Sequence, residues 1–263
     1  LVARLARIRG ITDLALTTNG TLLADQAAAL RHAGLQRVTI SCDTLVPERM
    51  KAFARHDKVE DVRSGLDAAV TAGFTDLKLN TVAVRDLNDD ELGTIAAFAL
   101  ARGIEPRFIE YMDVGGATEW SQDLVIPRDE IIARLAETLG APEPLHRVGD
   151  PHAPAERWRF GGQHVVGIVA STTAPFCRDC DRARLTADGT FFRCLYAADG
   201  FDLRGPIRAG AAPSELERQM RAAWESRSDR GAELRAALPH RGVLVPLENL
   251  QRNPHREMHV RGG

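Results

Sequence analysis

Apolar residues in the first 112 positions fall into short runs separated by longer stretches of helical period. Leu14 to Leu16, Val38 to Cys42, Leu77 to Val84 and Phe108 to Met112 are each short enough for a buried strand, and amphipathic patterns fill the intervals. The helix candidates are Leu22 to His32, Val59 to Ala72 and Asp89 to Ala101, closed by Gly34, Gly73 and Gly103 just past the last periodic residue. Strands alternating with helices in this way predict parallel strands joined by right-handed crossovers. An open doubly wound sheet and a full or partial barrel of the triosephosphate-isomerase kind both accept the pattern. Both place ligands at the carboxyl ends of strands. Thr17-Thr18-Asn19-Gly20, Ser41-Cys42-Asp43, Lys78-Leu79-Asn80-Thr81 and Glu110-Tyr111-Met112 are expected at that edge.

Side chains alternate across a strand, so Lys78 and Asn80 share one face while Leu77 and Leu79 pack on the other against helices. Lys78 therefore points inward. A buried lysine needs an anionic partner, and two readings stand side by side: an internal phosphate, or a neighbouring carboxylate such as Glu110. The same alternation sets Ser41 and Cys42 on opposite faces, which makes Cys42 a packed core thiol.

Beyond Met112 the rhythm changes. Val114 to Gln122 reads as a glycine-containing connection, Pro127 to Leu139 as a helix, and Pro142 to Pro154 has no clear period. A boundary belongs here, dividing the chain into residues 1–122 and 123–263. Trp158 to Phe160 and Val165 to Ala170 are strand-like, and a hairpin is expected around Asp188-Gly189. Pro213 to Leu238 looks helical with a break near Gly231, and Pro239 to Gly263 reads as a tail.

Composition narrows the function classes. With 263 residues and 44% hydrophobic content, the chain can build one barrel-sized domain or two smaller ones. A formal net charge of −2 gives no electrostatic reason for a general nucleic-acid or membrane-surface role. No apolar run approaches the roughly 20 residues that span a bilayer. Four cysteines, three of them bunched, fit metal ligation in a reducing cytoplasm better than a disulfide framework.

The bunched set is Cys177, Cys180 and Cys194, spaced C-x2-C-x13-C. A hairpin at Asp188-Gly189 returns the chain and brings the third thiolate toward the first pair. Three thiolates can hold a zinc ion, completed by one of the eight histidines, or three irons of a four-iron cluster. Arg182 and Arg184 alternate immediately after the second cysteine, where forked guanidinium groups suit phosphate or a purine edge, or simply balance anionic sulfur. Neither a P-loop nor a dinucleotide glycine fingerprint occurs.

In order and spacing, T-T-N-G at Thr17, V-T-I-S-C-D at Val38, L-K-L-N-T-V at Leu77, R-F-I-E-Y-M at Arg107 and C-x2-C-x-R-x-R-x9-C at Cys177 resemble one family. It is the radical S-adenosylmethionine GTP 3′,8-cyclases, the molybdenum cofactor biosynthesis protein A family. D-L-R at Asp202 and the terminal Gly262-Gly263 extend the likeness. The resemblance implies an α/β fold: an incomplete TIM-type β/α barrel with a C-terminal extension carrying an auxiliary iron–sulfur cluster. In that family an N-terminal [4Fe-4S] cluster cleaves S-adenosylmethionine to a 5′-deoxyadenosyl radical. A second cluster, held by three cysteines, leaves one iron for the guanine of GTP.

Carried across by motif, Cys177, Cys180 and Cys194 are the ligands of that second [4Fe-4S] cluster. Thr17, Lys78, Arg182 and Arg184 match positions that hold GTP, and Ser41 and Met112 match positions that contact S-adenosylmethionine. Gly262-Gly263 corresponds to a mobile tail that enters the active site. The family further implies a cytoplasmic homodimer whose product passes to the cyclic pyranopterin monophosphate synthase of the pathway.

One departure stands out. The family's radical cluster needs a C-x3-C-x2-C motif and a following G-G-E-P segment, and neither occurs in these 263 residues. The chain reads as a family member whose beginning is absent, opening on Leu1, and as it stands it is expected not to make the adenosyl radical. The alternatives are another radical enzyme with an auxiliary cluster and a non-catalytic relative that binds a nucleotide or zinc.

Overall fold

The alternation in the first part of the chain folds as repeated β/α units. The structure is a computed structural model describing residues 1–54, 57–145 and 152–252, which group into two compact units. The first comprises residues 1–111 and 123–170. Its elements are α1 (Val2–Leu5), β1 (Ala15–Thr18), α2 (Leu23–His32), β2 (Arg37–Ser41), α3 (Pro47–Ala54), α4 (Val59–Thr71), β3 (Leu77–Ala83), α5 (Leu92–Leu100) and β4 (Glu105–Glu110). They are followed by α6 (Arg128–Leu139), β5 (Pro142–Pro144), β6 (Glu156–Phe160) and β7 (His164–Val169).

The strands form one seven-stranded sheet in the order β1-β2-β3-β4-β7-β6-β5. Strands β1 to β4 and β7 run parallel, and β6 and β5 turn back antiparallel at one edge. The sheet is thus mostly parallel, with β1 and β5 at its edges. Leu77, Leu79, Val38, Ile40 and Phe108 are buried on one face, packed with helix residues such as Leu66, Ile95 and Leu135. Helix α2 ends where Gly34 takes φ +101° and α4 where Gly73 takes +80°, a left-handed conformation that side chains with a Cβ resist.

Several boundaries differ from expectation for identifiable reasons. Strand β4 runs Glu105–Glu110, not Phe108 to Met112, because polar Glu105 and Arg107 pair in register with Lys78 and Asn80. Helix α5 begins at Leu92 because the residues before it serve the turn: Asn88 Oδ1 accepts from the Val84 N–H at 2.8 Å, and Glu91 accepts from Thr44 and the Leu45 N–H. Helix α3 was not anticipated, nor was β5 within the stretch that lacked a period.

The second unit comprises residues 112–122 and 171–263. Its small antiparallel sheet, ordered β10-β9-β8, joins β8 (Arg184–Leu185), β9 (Thr190–Phe192) and β10 (Phe201–Asp202). The expected hairpin is there, with Gly189 at φ +86° in its turn. Helices α7 (Arg204–Arg208), α8 (Pro213–Glu225), α9 (Gly231–Ala236) and α10 (Leu247–Arg252) follow. The helical break spans 226–230, so Gly231 opens a helix instead of ending one. Residues 239–252 are no simple tail: Val245 and Leu250 are buried, and α10 forms. The units also divide elsewhere than at residue 122, since 123–170 completes the large sheet. Gly262-Gly263 lies outside the described residues. Among those residues no helix is long and apolar enough to cross a membrane.

Gly65 gives a test of this packing. In an exposed helix, replacing glycine by alanine gains up to about 1 kcal/mol, but a Cβ on Gly65 of α4 would lie 2.5 Å from the Gly20 carbonyl oxygen and 3.1 Å from Leu23 Cβ. The sign is therefore expected to reverse. Gly65→Ala should lower stability by about 1–3 kcal/mol, measured by urea unfolding.

Candidate functional site

The parallel register sets the polar residues of the first unit in rows. Thr17 pairs with Thr39 and Thr39 with Lys78, which pairs with Glu105. The next row toward the carboxyl end runs Ser41, Asn80, Arg107 and Gly167. Alternation puts all of them on the face opposite Leu77 and Leu79. Thr17, Lys78 and Ser41 are thereby brought onto one face of neighbouring strands.

Lys78 is nevertheless not at a carboxyl end. It is the second residue of β3, and it is 5% exposed. Its ammonium pairs with Asp76, in the turn leading into the strand. Asp76 also lies 3.6 Å from Arg37, which is paired with Asp13. The carboxylate partner is thus Asp76. Glu110, the other candidate, instead accepts from the Arg128 N–H at 2.8 Å at the start of α6, where an exposed helical N–H favours an anion.

Two further groups on this face, Asn80 and Asp43, lie within the quoted motifs but were assigned no role from sequence. Asn80 Oδ1 is buried without a hydrogen-bond partner among the described residues, an acceptor whose desolvation a donor would offset. Asp43, just past β2, accepts from the Val82 N–H at 2.8 Å. Burial pushes its carboxyl up to about 6, against the pull of that N–H. Cys42 is a core thiol, pushed up to about 12 by burial first and by Asp43 second.

In the second unit Cys177, Cys180 and Cys194 are all free thiols and half-buried. Cys177 opens a single short turn, Cys180 follows it, and Cys194 lies two residues past β9. Burial raises the Cys180 thiol, but hydrogen bonds from the Arg182 backbone and from the Arg227 and Arg182 guanidinium groups outweigh it and leave it lowered. The thiolate is the form that binds metal. Arg182 stacks 4.8 Å over the Phe176 ring. Arg184 is held below its usual range by burial and then by Arg182, while Cys180 and Cys194 act in the opposite sense. Its Nε is buried without a hydrogen-bond partner among the described residues. Among those residues, no three His, Cys, Asp or Glu side chains gather to hold a single metal ion.

Next to this set lies a buried ion network. Asp113, its side chain fully buried, accepts from Arg241 at 2.7 Å and from Arg235 at 2.7 Å. Tyr196 donates its hydroxyl to Asp113 Oδ1 at 3.0 Å, and the Trp120 ring backs Arg241 at 4.9 Å. Desolvation alone would raise the Asp113 carboxyl, yet the two arginines hold it below the usual carboxylate range. Tyr196 is two residues from Cys194, so the network anchors the loop of the third cysteine. Met112 precedes Asp113 and is half-buried.

Residues 1–99 match the family model described as the Radical SAM superfamily, and residues 104–233 match the one described as Molybdenum Cofactor Synthesis C. The chain is 47% identical over 263 residues to GTP 3',8-cyclase 1 of Mycobacterium tuberculosis, covering 100% of this chain and 73% of that protein. It is 48% identical over 254 residues to GTP 3',8-cyclase 3 of Mycobacterium bovis, covering 97% and 67%. With the GTP 3',8-cyclase of Acidothermus cellulolyticus it shares 45% over 248 residues, covering 90% and 66%.

Asp43 and Asp113 make opposite pH predictions. Asp43 is raised above its unfolded value of 3.8 to about 6, so the stability it permits is full below about pH 4 and lost as pH rises through about 6. Asp43→Asn should remove that decline in urea titrations across this window. Asp113 is lowered, so its contribution is full above the unfolded carboxylate value and lost only as pH falls below it. Asp113→Asn leaves Arg235 and Arg241 without their anion and should cost about 3 kcal/mol, the low end for an unpaired buried ion, because Arg235 keeps 19% exposure.

Proposed function

The chain belongs to the molybdenum cofactor biosynthesis protein A family of radical S-adenosylmethionine proteins, and from that membership we propose that it acts as the GTP-binding part of a GTP 3′,8-cyclase. The carrying observation is the donor set of the second unit: three unbridged, half-buried cysteines among Arg182, Arg184 and Arg227. Cys177, Cys180 and Cys194 would hold a [4Fe-4S] cluster, whose fourth iron supplies a Lewis-acidic contact for guanine. Their chemistry fits it, since thiolates are the required ligands and the guanidinium groups favour that form at Cys180.

The remaining roles fall to residues already placed. Arg182 and Arg184 bind the triphosphate, and the buried, unpartnered Arg184 Nε is a donor that an anionic ligand would satisfy. Thr17 and Lys78 also hold GTP, Lys78 exchanging Asp76 for phosphate oxygen. Ser41 and Met112 contact S-adenosylmethionine, with the unsatisfied Asn80 Oδ1 beside Ser41 ready to accept from it. These 263 residues contain no C-x3-C-x2-C set, so on their own they bind GTP without generating the radical. A homodimer, and transfer of the product to the pyranopterin synthase, complete the reading.

Anaerobic reconstitution of the purified chain with iron and sulfide tests it. Iron for one four-iron cluster, broad visible absorption and GTP binding by calorimetry are expected, with no 5′-deoxyadenosine formed from S-adenosylmethionine. Cys177→Ala should abolish iron retention. One equivalent of zinc with no visible absorption would overturn the reading in favour of a zinc-binding relative.

A further inference from the structure

The connection between α8 and α9 lies outside every motif that relates the chain to its family, yet it touches two of the three cysteines. A Cβ on Gly231 would lie 2.3 Å from Tyr196 Cβ and 3.2 Å from Cys194 Sγ, so α9 starts directly against the third sulfur. Asp229 reaches Arg193, the neighbour of Cys194, at 3.5 Å. Arg193 in turn donates to the Ala223 carbonyl oxygen of α8 at 2.9 Å. These contacts fix the segment that carries Arg227.

Arg227 itself is turned onto Cys180. Its Nη1 donates to the Cys180 carbonyl oxygen, which sets the guanidinium charge beside that cysteine. The Trp224 ring backs it at 4.8 Å, which holds the flat guanidinium in one orientation. Its Nε is buried without a hydrogen-bond partner among the described residues. Such an atom is costly in a closed structure, and an anionic group at the cysteines is a chemistry that relieves it.

We propose that Arg227 is a positioning residue that sets the reduction potential of the iron group held through Cys180. The proposal rests on the iron–sulfur reading above. A positive charge beside a ligand sulfur stabilises the form carrying one more electron. A low-potential one-electron reductant supplies that electron, and no bond is made or broken in the protein. Arg182 also reaches Cys180, but it belongs to the motif that matches GTP contacts, whereas Arg227 does not and can be changed separately.

The test compares Arg227→Gln and Arg227→Lys with the unaltered 263-residue chain, each reconstituted anaerobically and titrated with dithionite while the paramagnetic signal of the reduced cluster is followed. Arg227→Gln is expected to reduce at lower potential by a factor of ten in the equilibrium, about 59 mV for one electron. Arg227→Lys, which keeps the charge but loses the fork, should fall between. Midpoints equal to those of the unaltered chain overturn the proposal while leaving the iron–sulfur reading intact. Failure of the unaltered chain to take up a cluster overturns both. Should Arg227→Gln fold poorly, Arg227→Lys carries the test, and its agreement with the unaltered chain in midpoint overturns the proposal.

Discussion

Register across β2, β3 and β4 is the constraint on which the first unit depends. Backbone pairing aligns Thr39 with Lys78 and Glu105, and Ser41 with Asn80 and Arg107. Because side chains alternate, a slip of one residue would carry Leu77 and Leu79 out of the core and drive Lys78 and Asn80 into it. The helices covering the apolar face therefore fix the ligand face as a by-product of burying leucine and isoleucine. Gly167 shows how tightly that face is filled: a Cβ there would sit 3.0 Å from Arg107 Cγ. The polar residues are held by packing on the side they do not touch.

The second unit is organised by charge. Strands β8 and β10 have two residues each and β9 three, too few to stabilise a sheet alone. Asp113 compensates by drawing together Arg235, Arg241 and Tyr196 from separate segments, and its carbonyl oxygen accepts from the Leu244 N–H at 3.2 Å. A fully buried carboxylate shared by two guanidinium groups is strongly directional. It fixes Tyr196, and with it the backbone that carries Cys194.

How much was legible follows from this contrast. The β/α alternation, the helix ends at Gly34 and Gly73, and the hairpin at Gly189 depend on local period and on turn chemistry, so the chain displays them. Register sets Thr17, Ser41 and Lys78 on one face, while the inward turn of Lys78 came from period two. Lys78's partner did not, because Asp76 lies in a turn and gains its meaning only once β2 brings Arg37 beside it. Asp113 and Arg227 were equally silent. Their partners lie 83 to 128 residues away for Asp113 and 47 for Arg227, and no periodicity encodes such distances. Helix α10 was missed because a short segment rich in proline and glycine gives no period, although Val245 and Leu250 bury.

The same contrast bears on what an iron group does for the second unit. Ligand binding that requires a preformed site contributes its free energy to folding, and three cysteines on a turn, a loop and a strand end would be joined by it. Asp113 already restrains the third of these through Tyr196, and Arg227 restrains the second through its carbonyl oxygen. Among the described residues, Cys177 has no comparable hydrogen bond beyond the Cys180 N–H that its carbonyl accepts at 3.4 Å. The order of restraint thus runs from Cys194 and Cys180 to Cys177, so assembly has least entropy left to remove at the two anchored sulfurs and most at the first. An iron group would then close the site from its held side, with Cys177 the last ligand to be fixed.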